Sequence, residues 1–313
     1  MLSEFAKKEN IFIIANEFVC KRIINAFPNF FEDRMPINDI HIGKDESRKK
    51  LYDLTKEDIK QVGEALYSRH FGHDDFKDDF LEKLEHFPIL YKIGSVKILS
   101  VFLCGGSGIG KTEIAWVLHD TVYKGCKPIK INLGNYKTTG AINSLIGSPL
   151  GYIGSENGGE LSNKINKSDS RIILIDEFEK ADTDIFNFFY ELLEEGKFTD
   201  LADNEFDLEG YLIIFTTNLN ATNYKEKIPV PILSRFSLKY EFVDLSNYDK
   251  LRFIDCRLND INFNYKKEYG KEIDVSTLKN NILSKKIDII TDLRAINRII
   301  EKEIVNYIST SCN

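Results

Sequence analysis

An α/β fold, with a mostly parallel sheet flanked by helices and a small helical domain following it, is predicted by three features of the 313-residue sequence. Short apolar runs at Ile98–Leu103, Ile129–Leu133, Ile172–Ile175 and Leu212–Thr216 read as buried strands, with helical patterns between the first three. Runs that are apolar on both faces and joined by helices belong to parallel sheets covered on each side. A glycine-rich turn follows the first run directly and opens a helix. Beyond about Leu245 only helical periodicity remains, clearest in Ile296, Ile299, Ile300, Ile304 and Ile308.

In chain order, Ile11, Ile14, Phe18, Val19, Ile23 and Phe27 approximate one helical face that Pro28 ends. The stretch after it, broken at Pro28 and Pro36 and charged from Lys44 to Lys50, reads as a linker. Thr55 and Asp58 have capping-box spacing, and Ile59, Val62 and Leu66 follow at helical intervals. A second helix is predicted from about Asp74 to Phe87, stopping before Pro88. The strand–helix alternation then begins. The expected division is an arm over residues 1–50, a large subdomain over 51–244 and a small helical subdomain over 245–313.

Composition narrows the class. With 42% hydrophobic residues and 29% charged ones, the chain can bury a core without staples, which excludes a disordered protein or a miniature scaffold. The 42 Lys plus Arg against 49 Asp plus Glu give a net charge of −7, which argues against bulk attraction to nucleic acid or anionic membrane. Five cysteines show no metal-ligand spacing and cannot all pair, so reduced thiols in a cytoplasmic protein are expected. The early apolar stretch Ile11–Ala15 is too short for a signal core or a bilayer span, so no membrane partner is expected. Lysines number 32 and arginines ten, so an arginine at a site that demands planar fixed charge is informative.

Gly105-Gly106-Ser107-Gly108-Ile109-Gly110-Lys111-Thr112 satisfies the G-x-x-x-x-G-K-[ST] pattern in the context it requires, after a strand and before a helix. Backbone N–H groups of such a loop wrap phosphates, Lys111 reaches the outer ones, and the Thr112 hydroxyl can ligate Mg²⁺. The strand from Ile172 ends in Asp176 and Glu177, at the edge where open α/β sheets bind ligands. Asp176 would help hold Mg²⁺, and Glu177 is the candidate base for an attacking water. A further strand ends at Asn218, whose amide can both donate to and accept from that water.

The run from Phe102 to Ala221 resembles the ATPase module of the Clp-type AAA+ unfoldases and disaggregases, in its second-ring version. The matching stretches are FLCGGSGIGKTEIA from Phe102, LIGSPLGYIGSENGGELSNKI from Leu145, IILIDEFEKADTDIFNFFYELLEEGKFTD from Ile172 and IIFTTNL from Ile213. Weaker similarity extends over about residues 51–310. Upstream it reaches Phe71 and Gly72, placed where the family has a turn near adenine, with His73 in place of the usual Gln. The resemblance implies a trans-acting finger at Arg235, preceded here by Ser234 rather than Asn, and a phosphate-sensing arginine of the lid at Arg294. It also makes Gly151-Tyr152-Ile153-Gly154 similar to an aromatic–hydrophobic loop that grips substrate in a ring's central channel. Tyr152 would supply a flat, partly apolar grip on varied sequences.

Taken together, these features imply an ATP- and Mg²⁺-dependent P-loop ATPase. The resemblance further implies that it assembles as a homo-oligomeric ring, a hexamer, and remodels or unfolds a protein client by threading. No second ATPase domain or zinc module is visible, and the segment from Asn218 to Arg235 lacks a peptidase-docking loop, so a self-contained single ring is expected. The competing reading is an AAA+ switch or loader acting on a nucleoprotein, or on a defence or mobile-element complex, without threading. Direct nucleic-acid contact is not expected from the charge.

Overall fold

The computed structural model describes residues 49–136, 140–148 and 158–311. The predicted helix between Ile11 and Phe27 and the Tyr152–Ile153 loop lie outside these residues. Helix α1 (Lys56–Arg69) starts at the predicted capping box: Asp58 N–H donates to Thr55 Oγ1 at 3.2 Å, and Thr55 N–H donates to Asp58 Oδ2 at 2.8 Å. Satisfying two orphan donors at once fixes the helix start. Ile59, Val62 and Leu66 form its buried face, as their spacing predicts.

Helix α2 (Asp74–Lys92) does not stop at Pro88 but runs through it. Pro88 removes one helical hydrogen bond, yet the last turn is held by tertiary contacts. Phe87 is buried, Tyr91 stacks on Tyr52 with centroids 4.4 Å apart, and the Tyr91 hydroxyl donates to Glu209 at 2.9 Å.

The next elements are β1 (Leu99–Gly105), α3 (Lys111–Val122), β2 (Ile129–Asn132), α4 (Ala141–Ile146), α5 (Glu160–Asn166) and β3 (Ile172–Asp176). Helix α6 (Thr183–Glu195) follows, capped by Asp182, and leads into a hairpin of β4 (Lys197–Thr199) and β5 (Glu205–Asp207). The remainder comprises β6 (Leu212–Thr216), α7 (Tyr224–Lys227), α8 (Val230–Leu233), β7 (Leu238–Phe242), α9 (Asn247–Tyr269), α10 (Val275–Leu283) and α11 (Leu293–Ser311).

Five strands form one parallel sheet in the order β2-β3-β6-β1-β7. Its interior alternates as a two-sided core requires. Leu99, Val101, Leu103, Leu174 and Ile214 enter one apolar layer; Phe102, Cys104, Ile173, Ile175 and Phe215 enter the other. The predicted strands match β1, β2, β3 and β6. Edge strand β7 and the β4–β5 hairpin were not among them, because Leu-Lys-Tyr-Glu-Phe carries two charges in five residues and pairs on one side only.

Helices α9, α10 and α11 bury a separate cluster around Ile254, Leu258, Leu278, Ile282, Ile296 and Ile300. This helical unit is tied to the glycine-rich loop, since Leu293 N–H donates to Gly108 O at 3.0 Å. Among the described residues no helix is long and apolar enough to cross a membrane.

Candidate functional site

The C-terminal ends of β1, β3 and β6 open onto a cavity of about 760 Å³ that the C-terminal helices close from the other side. Ser107, Gly108, Gly110, Lys111 and Thr112 line it, together with Asp176, Glu177, Asn218 and Arg294. The structure thus gathers six of the side chains singled out for chemistry around one space, although they span 184 positions from Lys111 to Arg294 inclusive.

The loop from Gly105 turns sharply into α3. At Gly108, φ is +77° and a Cβ would lie 1.8 Å from Asp292 Oδ1, so only glycine lets the helical unit approach this closely. Gly105 and Gly106 frame the turn without lining the cavity. Ile109 is 2% exposed and packs into the core with Val101 and Leu103, which leaves only its backbone for a ligand.

Lys111 is buried and its ammonium donates to Gly105 O at 2.8 Å and to Gly106 O. Burial pushes its pKa down to about 8, Arg294 acts in the same direction, and Asp176 and Glu179 oppose them. A buried ammonium beside N–H groups at a helix start attracts an anion.

Asp176, the last residue of β3, accepts from Thr216 Oγ1 at 2.5 Å and pairs with Lys130 at 2.7 Å. Burial alone would raise its pKa, but these two bonds outweigh it and hold the carboxyl below the usual range. Oxygen donors of this kind, Thr112 and Asp176, suit Mg²⁺. Among the described residues no group of three or more His, Cys, Asp or Glu could hold a metal, so such an ion would take most of its ligands from phosphate and water.

Glu177 adopts φ 58° and ψ 45°, a left-handed conformation rare for non-glycine residues. Phe178 anchors the turn: it is fully buried and meets Phe215 and Phe186 edge-on at 4.8 and 5.1 Å. The Glu177 carboxylate lies against Gly134, where a Cβ would stand 2.3 Å from Oε2. Asn218 is exposed at the cavity wall, and its N–H donates to Glu179 Oε1 at 3.4 Å.

Arg294 reaches Ser107 Oγ at 3.3 Å, joining the helical unit to the loop. Arg235 is not brought to this cavity. It stands elsewhere, donating to the Tyr190 hydroxyl at 2.8 Å and pairing with Glu194 at 2.5 Å. Phe71 lines the cavity with its ring edge-on to Phe253 at 5.6 Å. Gly72 does not line it, and serves the turn before α2 with φ +69°.

The cavity also has walls that the sequence reading did not single out. His70, 2% exposed, lines it, whereas His73 packs on Phe242 with centroids 4.1 Å apart. Burial, with Lys77 nearby, drives the pKa of His70 down to about 3 and that of His73 to about 4, so both rings are neutral near pH 7. Lys130 and Thr216, which fix Asp176, carry no local motif. Arg298, four residues beyond Arg294, had a signal in that spacing.

Residues 96–252 match the family model described as AAA domain (Cdc48 subfamily). The chain is 32% identical over 180 residues to the chaperone protein ClpB of Staphylococcus aureus (strain COL), covering 57% of this chain and 21% of that protein. It is 27% identical over 274 residues to the ClpB of Clostridium tetani (strain Massachusetts / E88), covering 80% of this chain and 32% of that one. Among solved structures, a closed-state cryo-EM reconstruction of Hsp104 with ATPγS and FITC casein superposes with a TM-score of 0.69 at 21% identity. That match covers 83% of this chain and 49% of the other, and it shows the shared fold. The chain spans less than a third of the length of these two ClpB relatives.

Proposed function

The chain belongs to the AAA domain family (Cdc48 subfamily) and is an ATPase of the Clp type, and from that premise we propose that it works as a ring, remodelling protein substrates by drawing them through a central pore. The observation that carries this reading is the division of the site. Lys111, Thr112, Asp176, Glu177, Asn218 and Arg294 face one cavity, while Arg235 is held outside it. A finger needed for turnover must then come from a neighbouring copy.

In this reading the loop N–H groups and Lys111 bind the nucleotide's phosphates, and Thr112 and Asp176 hold Mg²⁺. When bound, that ion neutralises charge on the outer phosphates. Glu177, kept in the cavity by its left-handed backbone, accepts a proton from the attacking water, which Asn218 orients. Arg294 senses the phosphates from the helical unit, and its bond to the loop couples nucleotide state to movement of that unit. Threading rests on Tyr152 and Ile153. The solved relative superposed here was captured with casein, which supports a polypeptide client. The large ATPase subdomain of 51–244 and the small one of 245–313 are proposed as the two moving parts.

Glu177→Gln is expected to bind ATP normally, lose more than about 100-fold in turnover, and retain protein clients from a cell extract. Tyr152→Ala is expected to keep ATP hydrolysis and lose remodelling of a casein-type substrate. Full remodelling by Tyr152→Ala would instead favour an AAA+ switch that acts without threading, and unaltered turnover by Glu177→Gln would sink the base assignment.

A further inference from the structure

Of the seven arginines among the described residues, Arg69, Arg257, Arg294 and Arg298 line the nucleotide cavity. This concentration matters in a chain with only ten arginines to 32 lysines. Two of the four are already engaged: Arg69 pairs with Asp120 at 3.0 Å, and Arg294 bonds Ser107.

The other two present uncompensated charge. Arg257, on α9, uses its Nε to donate to Asn297 Oδ1 at 3.0 Å, which leaves the outer nitrogens of its guanidinium unassigned. The side chain of Arg298, the next residue of α11 after Asn297, makes no hydrogen bond or ion pair among the described residues. No carboxylate lies within ion-pair distance of either guanidinium among the described residues, although Asp260 lines the same cavity. Two cations on packed helices repel each other unless an anion sits between them.

Position along α11 restricts where that anion lies. The helix begins at the glycine-rich loop, through the Leu293–Gly108 bond, and Arg294 reaches the loop itself. Arg298 stands one turn farther away, roughly 6 Å along the axis at the helical rise. We propose that Arg298, with Arg257 beside it, binds the inner phosphate of a nucleoside di- or triphosphate, the one joined to the ribose. Arg294 is left to the outer phosphates. This rests on the nucleotide-site reading above and deepens it. A planar guanidinium with free N–H groups can hold a phosphate in a two-pronged contact that a lysine cannot reproduce.

Isothermal titration with Mg-ATP, on a Glu177→Gln background that blocks turnover, and with Mg-ADP tests the assignment. Arg298→Ala is expected to weaken both nucleotides alike, by about tenfold for loss of one charge-assisted contact. Arg294→Ala is expected to weaken ATP more than ADP. Arg298→Lys keeps the charge without the fork and should recover part of the loss, which separates contact from misfolding. If Arg298→Ala weakens only ATP, or neither nucleotide, the inner-phosphate assignment is wrong. Lys111→Ala titrated in parallel keeps the two ideas apart. Loss of binding there, with Arg298→Ala unaffected, defeats only this inference; unaltered binding by Lys111→Ala defeats the nucleotide site as a whole.

Discussion

Glu177 keeps its carboxylate in the cavity by a left-handed backbone that costs of order 1–3 kcal/mol, a strain typical of functional turns. The buried Phe178 holds that turn from behind and Gly134 leaves room for the carboxylate in front. Gly134→Ala is therefore expected to displace Oε2 and lower ATP turnover by more than about tenfold with nucleotide affinity kept, as steady-state kinetics and titration would show. Lys111 makes a pH prediction. Its pKa in the folded chain is about 8 against 10.5 for an unperturbed lysine, so burial disfavours the charged form. Below about 8 the folded chain bears the full penalty; between about 8 and 10.5 the unfolded chain binds more protons, so this group's contribution to stability rises with pH. Nucleotide binding runs the other way. Phosphates need the ammonium, so above about pH 8 binding takes up a proton and the Kd for ATP should rise by up to about tenfold per pH unit. A Kd flat from pH 7 to 9 would contradict this role for Lys111. At this scale Lys111, Asp176 and Glu177 were legible because each sits in a contiguous motif. Lys130, Thr216 and His70 were not, since their partners come from other strands and turns and no local pattern marks them.

Among elements, legibility followed how local the deciding force is. The start of α1 was readable from Thr55 and Asp58 because a capping box is made within four residues. The strands β1, β3 and β6 were readable because both their faces are buried, and edge strand β2 because its alternate residues Ile129 and Ile131 are buried. The end of α2 was not, since a local rule stops a helix at proline whereas Phe87 and Tyr91 hold the turn beyond it through residues far along the chain. Pro88 thus persists in a helix interior at a cost that its neighbours offset. Pro88→Ala restores a backbone donor but frees the unfolded chain, and the net gain is expected to be about 1 kcal/mol, read as a higher urea midpoint with an unchanged slope. A lower midpoint would mean that the packing of Phe87 and Tyr91 depends on the proline ring. Strand β7 escaped notice because its two charges break the apolar run. Lys239 donates to Leu233 O at 3.2 Å and Glu241 accepts from the Ala221 N–H at 2.8 Å, bonds to other segments that no local pattern announces, and its pairing with β1 defines it.

For the whole molecule the decisive residue is the one its own cavity lacks. Arg235 is fixed on the surface by Tyr190 and Glu194, near the end of α6, and none of these three residues lines the nucleotide cavity. The sequence supplied Arg235 only by resemblance, because nothing local distinguishes a surface arginine that completes a neighbour's site from one in an ordinary ion pair. If it acts in trans, Glu177 and Arg235 serve different active sites, and lesions in the two must complement. Arg235→Ala alone should bind ATP yet turn it over poorly, and Glu177→Gln alone should do the same. In an equal mixture, random head-to-tail neighbours join an intact Glu177 to an intact Arg235 at roughly a quarter of interfaces, so about a quarter of wild-type ATPase should return. Mixing must be done where subunits exchange, and the recovered rate should depend on the mixing ratio and vanish on dilution below assembly. Two inactive variants that remain inactive after verified exchange would place Arg235 in its own subunit's ion pair. The shared-site ring would then have to be given up while the cavity around Lys111 and Glu177 stands.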